Sequence, residues 1–149
     1  MPVNLTKIES SLSPQRIDLL PRAPFDSLYI HVPFCEEKCR YCDFYSITSR
    51  PQEEMEKFVD SVLTELRWWM PRLQDQQPVS TIFLGGGTPS ALPPGAMQRL
   101  LNGIHQMIPI SPEVEWSIEA NPATVDGDYC KLLLECGVNR LSIGGQSFV

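Results

Sequence analysis

Apolar residues recur along this chain in two rhythms. The run SLYIHVPF at 27–34 is β-rich and apolar, and ends in a cysteine-containing loop. From Gln52 to about Gln74, apolar side chains fall at Met55, Phe58, Val59, Val62, Leu63, Leu66 and Met70. That spacing is one face of a helix, with Glu and Lys on the other side. Pro51 marks the helix start, and Pro71 weakens the last turn. VSTIFLGGG (79–87) reads as a buried strand running into a glycine loop. Pro93 and Pro94 open a second helix through Met97, Leu100, Leu101, Ile104 and Met107. EVEWSIEANP (113–122) alternates Val114, Trp116 and Ile118 against polar residues, a strand pattern. A third helix runs from about Asp126 to Glu135 and is stopped by Gly137 as its C-cap. RLSIGGQSF (140–148) is a fourth strand, and residues 1–26 carry Pro and Ser without sustained periodicity, as an N-terminal extension does.

The order β-α-β-α-β-α-β with short connections predicts an α/β fold: a parallel sheet with right-handed crossovers, open or curled into a barrel. The unusual residues all follow strand ends. The cysteines come after the first strand, GGGTP after the second, Glu119–Asn121 closes the third and Gln146 closes the fourth. Parallel α/β folds place their chemistry on that carboxyl-end face. The chain stops at Val149, in or just after the fourth strand, with no helix to cover it. A strand edge and apolar surface would then be bare, so a piece of a longer protein is expected.

Composition narrows the class without changing the fold. One domain of 149 residues with 42% hydrophobic and 20% charged residues is ordinary for a globular protein. A net charge of −6 argues against nucleic acid or an anionic membrane as the main partner. No apolar run approaches the roughly 20 residues of a membrane span, and the start lacks a signal-peptide core. Residues 1–25 are poor in acids and contain Ser and Arg, as organelle transit segments do, but the default address is cytoplasmic.

Cysteine changes the picture most. There are five, and three sit within eight residues as Cys35-x3-Cys39-x2-Cys42. In a reducing compartment such clustering reads as metal or catalysis before disulfides. Thiolates suit iron–sulfur clusters and zinc. A [4Fe–4S] cluster on three thiolates keeps one iron open, and that iron can chelate the amino and carboxylate groups of S-adenosylmethionine (SAM). The rival is structural zinc, because His31 lies four residues before Cys35 and would complete a Cys3His set. An unliganded loop is the plain alternative. Cys130 and Cys136 read as helix core or surface residues. The other candidates have ordinary readings too: a strand-to-helix turn for GGGTP, a solvated acid for Glu119, a turn glutamine for Gln146 and a core aromatic for Tyr29. GGGTP lacks the lysine of a phosphate-binding loop.

LYIHVPFCEEKCRYCDFYS resembles the signature of the radical SAM superfamily, and its flanks are similar to the HemN/HemW group, the oxygen-independent coproporphyrinogen III oxidases and their relatives. FLGGGTPS, SIEANP and GVNRLSIGGQSF resemble the same group in the same order, so the likeness covers about residues 27–149. It implies a partial (β/α)6 TIM-like barrel, of which 27–149 is the N-terminal part with about four β-α units. It makes Cys35, Cys39 and Cys42 the ligands of a [4Fe–4S] cluster. It carries SAM contacts onto Gly86 (at the amino group), Gly87, Thr88, Glu119 and Gln146. Tyr29 by the same likeness packs on SAM, and Tyr41 borders the cluster and adenine. Gly145 stands where the group more often has Val, and His31 matches a group position whose role stays open.

Two functions follow from the resemblance. One is oxidative decarboxylation of coproporphyrinogen III in porphyrin biosynthesis. The other is heme delivery to client proteins by a chaperone that keeps the cluster and SAM site, with heme as cargo. The oxidases of the group carry a cysteine two residues past the third, and here Cys42 is followed by Asp43-Phe44. Cys-Asp-Phe resembles the HemW form, so the chaperone is the expected function. Heme or a porphyrinogen, client proteins and a reductant protein are the implied partners.

Overall fold

The structure is a computed structural model and describes residues 25–48, 51–72 and 77–145. The expected extension at 1–26 lies almost wholly outside these residues, as does Gln146. Four parallel strands form the main sheet: β1 (Ser27–Val32), β4 (Val79–Gly86), β5 (Ile110–Ala120) and β6 (Arg140–Ile143), adjacent in that order. A second, two-stranded sheet pairs β2 (Phe34–Cys35) with β3 (Ile47–Thr48). The three crossovers hold α1 (Gln52–Trp69), α2 (Pro94–Met107) and α3 (Gly127–Glu135). With neighbouring strands parallel and consecutive, right-handed crossovers put all three helices on one face.

The core lies between that face and the helices. Alternate strand residues Ile30, Val32, Ile82, Leu84, Trp116 and Ile118 are buried there against Val59 and Leu63 of α1, Leu100 and Ile104 of α2, and Leu133 of α3. Each fully buried Leu or Ile contributes about 1.5–3 kcal/mol of hydrophobic transfer. The other face receives Tyr29, His31, Phe83, Ser117 and Glu119 by the same alternation.

Differences from the expected elements have local causes. The first strand breaks at Pro33, and Phe34–Cys35 turns away to pair with β3. Helix α1 ends at Trp69 and gives way to a 3-10 turn at Met70–Arg72, because Pro71 has no N–H to continue the ladder. Strand β5 starts at Ile110, earlier than its clean alternation. The register shifts between Val79 and Thr81, which pair with Ile110 and Glu115, and Pro112 falls in that irregularity. At α3, Asp126 caps the helix by accepting from the Tyr129 N–H at 2.8 Å, and Gly137 ends it with φ +92°.

Candidate functional site

The site is built where β1, β4 and β5 end. Past β1 the chain passes Pro33 and enters the loop that carries Cys35, Cys39 and Cys42, all free thiols. Both limbs of this loop are pinned. The β2–β3 pairing closes its base, and the Ile47 N–H donates to the Pro33 carbonyl at 2.7 Å. Lys38 reaches across, its ammonium donating to the Phe44 carbonyl at 2.6 Å and to the Ser46 hydroxyl at 3.1 Å. The Cys42 N–H donates to the Cys39 carbonyl at 3.1 Å, a turn that orders the second half of the motif.

The glycine turn at the end of β4 is stitched to the root of the same loop. The Gly87 N–H donates to the Val32 carbonyl at 2.8 Å, and the Thr88 N–H donates to the Phe34 carbonyl at 2.6 Å. The Thr88 hydroxyl lies 3.6 Å from the Cys35 sulfur, which it serves as a donor. Gly86 has φ +116°, and a Cβ there would stand 2.6 Å from the His31 ring; at Gly87 a Cβ would stand 2.7 Å from the Phe34 carbonyl oxygen. Both approaches require glycine. The Gly86 N–H donates to Glu119 Oε2 at 3.0 Å. The amides of residues 86, 87 and 88 are therefore all occupied within the chain. With those amides taken, they are not available to cradle a phosphate.

Tyr29, 56% exposed, stacks on Phe83 with ring centroids 6.1 Å apart. Partial burial, and secondarily the charge of Glu119, push its phenol above the ordinary range. Tyr41 is exposed, and its phenol is pushed up by a hydrogen bond to Cys39 and by electrostatic interaction with that residue. His31 is held at both ring nitrogens, 3.1 Å from the Tyr29 hydroxyl and 3.1 Å from the Tyr45 carbonyl. Both of its nitrogens thus have partners within the chain.

Of the residues singled out in the sequence, Tyr29, Cys35, Gly86, Gly87, Thr88 and Glu119 are linked by these contacts. Tyr41 sits with Cys39 on the outer part of the loop, and Gln146 lies outside the described residues. Among the described residues no three His, Cys, Asp or Glu side chains are gathered as a metal site. The loop nevertheless carries three soft thiols between two pinned limbs, a donor set that suits an iron–sulfur cluster or zinc. Two features had no sequence signal. One is the Lys38 clamp. The other is buried Ser90, whose hydroxyl pairs with Thr124 and accepts from the Asn121 N–H at 3.0 Å, fastening the turn after GGGTP to the end of β5.

The model of the radical SAM superfamily matches residues 29–149. The heme chaperone HemW of Escherichia coli (strain K12) is 44% identical over 122 residues, covering 82% of this chain and 32% of that protein. An oxygen-independent coproporphyrinogen III oxidase of Synechocystis is 35% identical over 122 residues, covering 82% of this chain and 26% of that protein. Among solved structures, the coproporphyrinogen III oxidase HemN from Escherichia coli, described as a radical SAM enzyme, superposes with a TM-score of 0.81. It is 27% identical, and the match covers 100% of this chain and 38% of that one. The chain thus spans a third or less of the length of these curated relatives. The parallel sheet and its helices correspond to a fragment of that TIM-like barrel.

Proposed function

Because this chain belongs to the radical SAM superfamily, we propose that Cys35, Cys39 and Cys42 hold a [4Fe–4S] cluster beside a SAM site, in a heme chaperone of the HemW type. Residues 27–149 are then the N-terminal part of the core domain, preceded by the extension at 1–26. Heme is the cargo, passed to heme-requiring client proteins, with a reductant protein as the electron source and the cytoplasm as the place of work. No described helix is long and apolar enough to cross a membrane.

Such a cluster supplies, when bound, the single electron that reductive cleavage of SAM requires. The chain's own residues bind and orient. Glu119 spends one oxygen on the Gly86 N–H and keeps the other to accept from the SAM ammonium or a ribose hydroxyl. The turn at Gly86–Thr88 offers carbonyl oxygens to the same ammonium. Tyr29 presents a half-exposed ring beside them, and Tyr41 presents another from the cysteine loop. Gln146 is proposed as a further hydrogen-bonding group to SAM.

The observation that favours chaperone over oxidase is residue 44. Oxidases of the group have a thiol there, and this chain has Phe44, 68% exposed and without redox chemistry. The likeness to HemN keeps the oxidase as a second reading. Purified protein with its cluster, SAM and reductant separates them. Stoichiometric heme binding without coproporphyrinogen turnover is expected; conversion to protoporphyrinogen would sink the chaperone.

A further inference from the structure

We infer that His31 is a positioning residue, a latch that ties the return limb of the cysteine loop to the turn proposed to receive SAM. Strand alternation puts His31 beside Tyr29 on the face without helices. A carbonyl can only accept, so the ring nitrogen facing the Tyr45 carbonyl, Nε2 at 3.1 Å, carries a proton. In the neutral ring Nδ1 is then an acceptor, and the Tyr29 hydroxyl at 3.1 Å donates to it. The same imidazole fills the space over Gly86, where a Cβ would come within 2.6 Å of its ring atoms. Gly86 is in turn fixed through its N–H to Glu119.

One path of contacts therefore runs from Tyr45 through His31 and Gly86 to Glu119. It joins the limb that follows Cys42 to the ends of β1, β4 and β5. Lys38 also holds that limb, at Phe44 and Ser46, and Pro33 holds it at Ile47. Of these anchors, His31 is the one that also packs on Gly86. Releasing it loosens the limb and frees the glycine turn to move, so loop order and ligand affinity fall together. Neither composition nor spacing marks such a role, because it depends on which side of β1 the ring faces.

Two substitutions separate the hydrogen bond from the bulk of the ring. Gln places its amide nitrogen near Nε2 and keeps the donation to Tyr45. Asn places its amide near Nδ1 and reaches only Tyr29. Hydrogen–deuterium exchange of the full chain, before cluster reconstitution, is expected to be about ten-fold faster over residues 44–48 in His31→Asn, with β5 unchanged, and within about three-fold of wild type in His31→Gln. Unchanged exchange in His31→Asn, or equal acceleration in both variants, would overturn the latch. A second readout rests on the proposed SAM site: after reconstitution, SAM should bind about ten-fold more weakly to His31→Asn and nearly normally to His31→Gln. Equal affinity in all three proteins would overturn the coupling. Failure of the wild type to bind SAM would instead refute the SAM site, leaving the exchange result to decide the latch.

Discussion

The two faces of the main sheet are made from the same strands and obey different rules. On the helix-covered face, Ile30, Val32, Ile82, Leu84, Trp116 and Ile118 are buried and apolar. On the opposite face, the residues between them are Tyr29, His31, Phe83, Ser117 and Glu119, several of them polar and tied by hydrogen bonds. The first face gains its free energy from apolar area removed from water, so many sequences could satisfy it. The second depends on particular donors and acceptors at fixed distances, so few could. The packed face and the proposed binding face are thereby separated by single-residue steps along one strand.

That separation can be broken by substitution on either side. The largest effect is expected at Leu84, fully buried on the helix side. Leu84→Ala should cost about 2–5 kcal/mol in urea unfolding. On a background that remains folded, SAM affinity should hold. Next comes Gly86→Ala, which joins the two faces. Its φ of +116° and the His31 ring at 2.6 Å leave no room for a methyl group. A loss of about 3 kcal/mol is expected from strain alone, together with weaker SAM binding. Unchanged stability would mean that the turn has another conformation.

Glu119→Gln should invert the pattern. The amide oxygen still accepts from the Gly86 N–H, so unfolding should shift by less than about 1 kcal/mol. Loss of the charge should weaken SAM binding about ten-fold, read by equilibrium titration. If stability falls further than affinity, Glu119 belongs to the scaffold and not to the site.

The smallest effect concerns Tyr129, buried on α3 with its hydroxyl donating to the Leu92 carbonyl at 3.0 Å. Burial pushes its phenol well above the ordinary value. An unfolded tyrosine ionises first, near pH 10, so the stabilisation is complete below about pH 10 and is lost as pH rises beyond it. Tyr129→Phe should remove this part of the alkaline slope and cost about 1 kcal/mol at neutral pH, both measurable by urea unfolding across pH.

The helix-covered face was almost fully legible in the sequence, because its signal is a period. The spacing of Val59, Leu63 and Leu66 and the alternation of Trp116 and Ile118 each gave the right element and the right buried side. Boundaries slipped where backbone chemistry overrode pattern, at Pro33, Pro71 and Pro112. The candidate site was legible only as residue types in order. Cys35, GGGTP and Glu119 stood out because thiols, glycines and a strand-end carboxylate are unusual where they fall. What joins them was not legible. The Gly86 amide at Glu119, the Thr88 hydroxyl at Cys35 and the His31 ring between Tyr29 and Tyr45 are contacts between strands, and no local pattern encodes them.

The central claim is that Cys35, Cys39 and Cys42 form a cluster site, and anaerobic reconstitution followed by iron and sulfide analysis tests it most directly. The wild-type protein should take up about four iron and about four sulfide per chain, and Cys39→Ala should retain neither. Tightly bound zinc without sulfide, or equal iron and sulfide in Cys39→Ala, would contradict it.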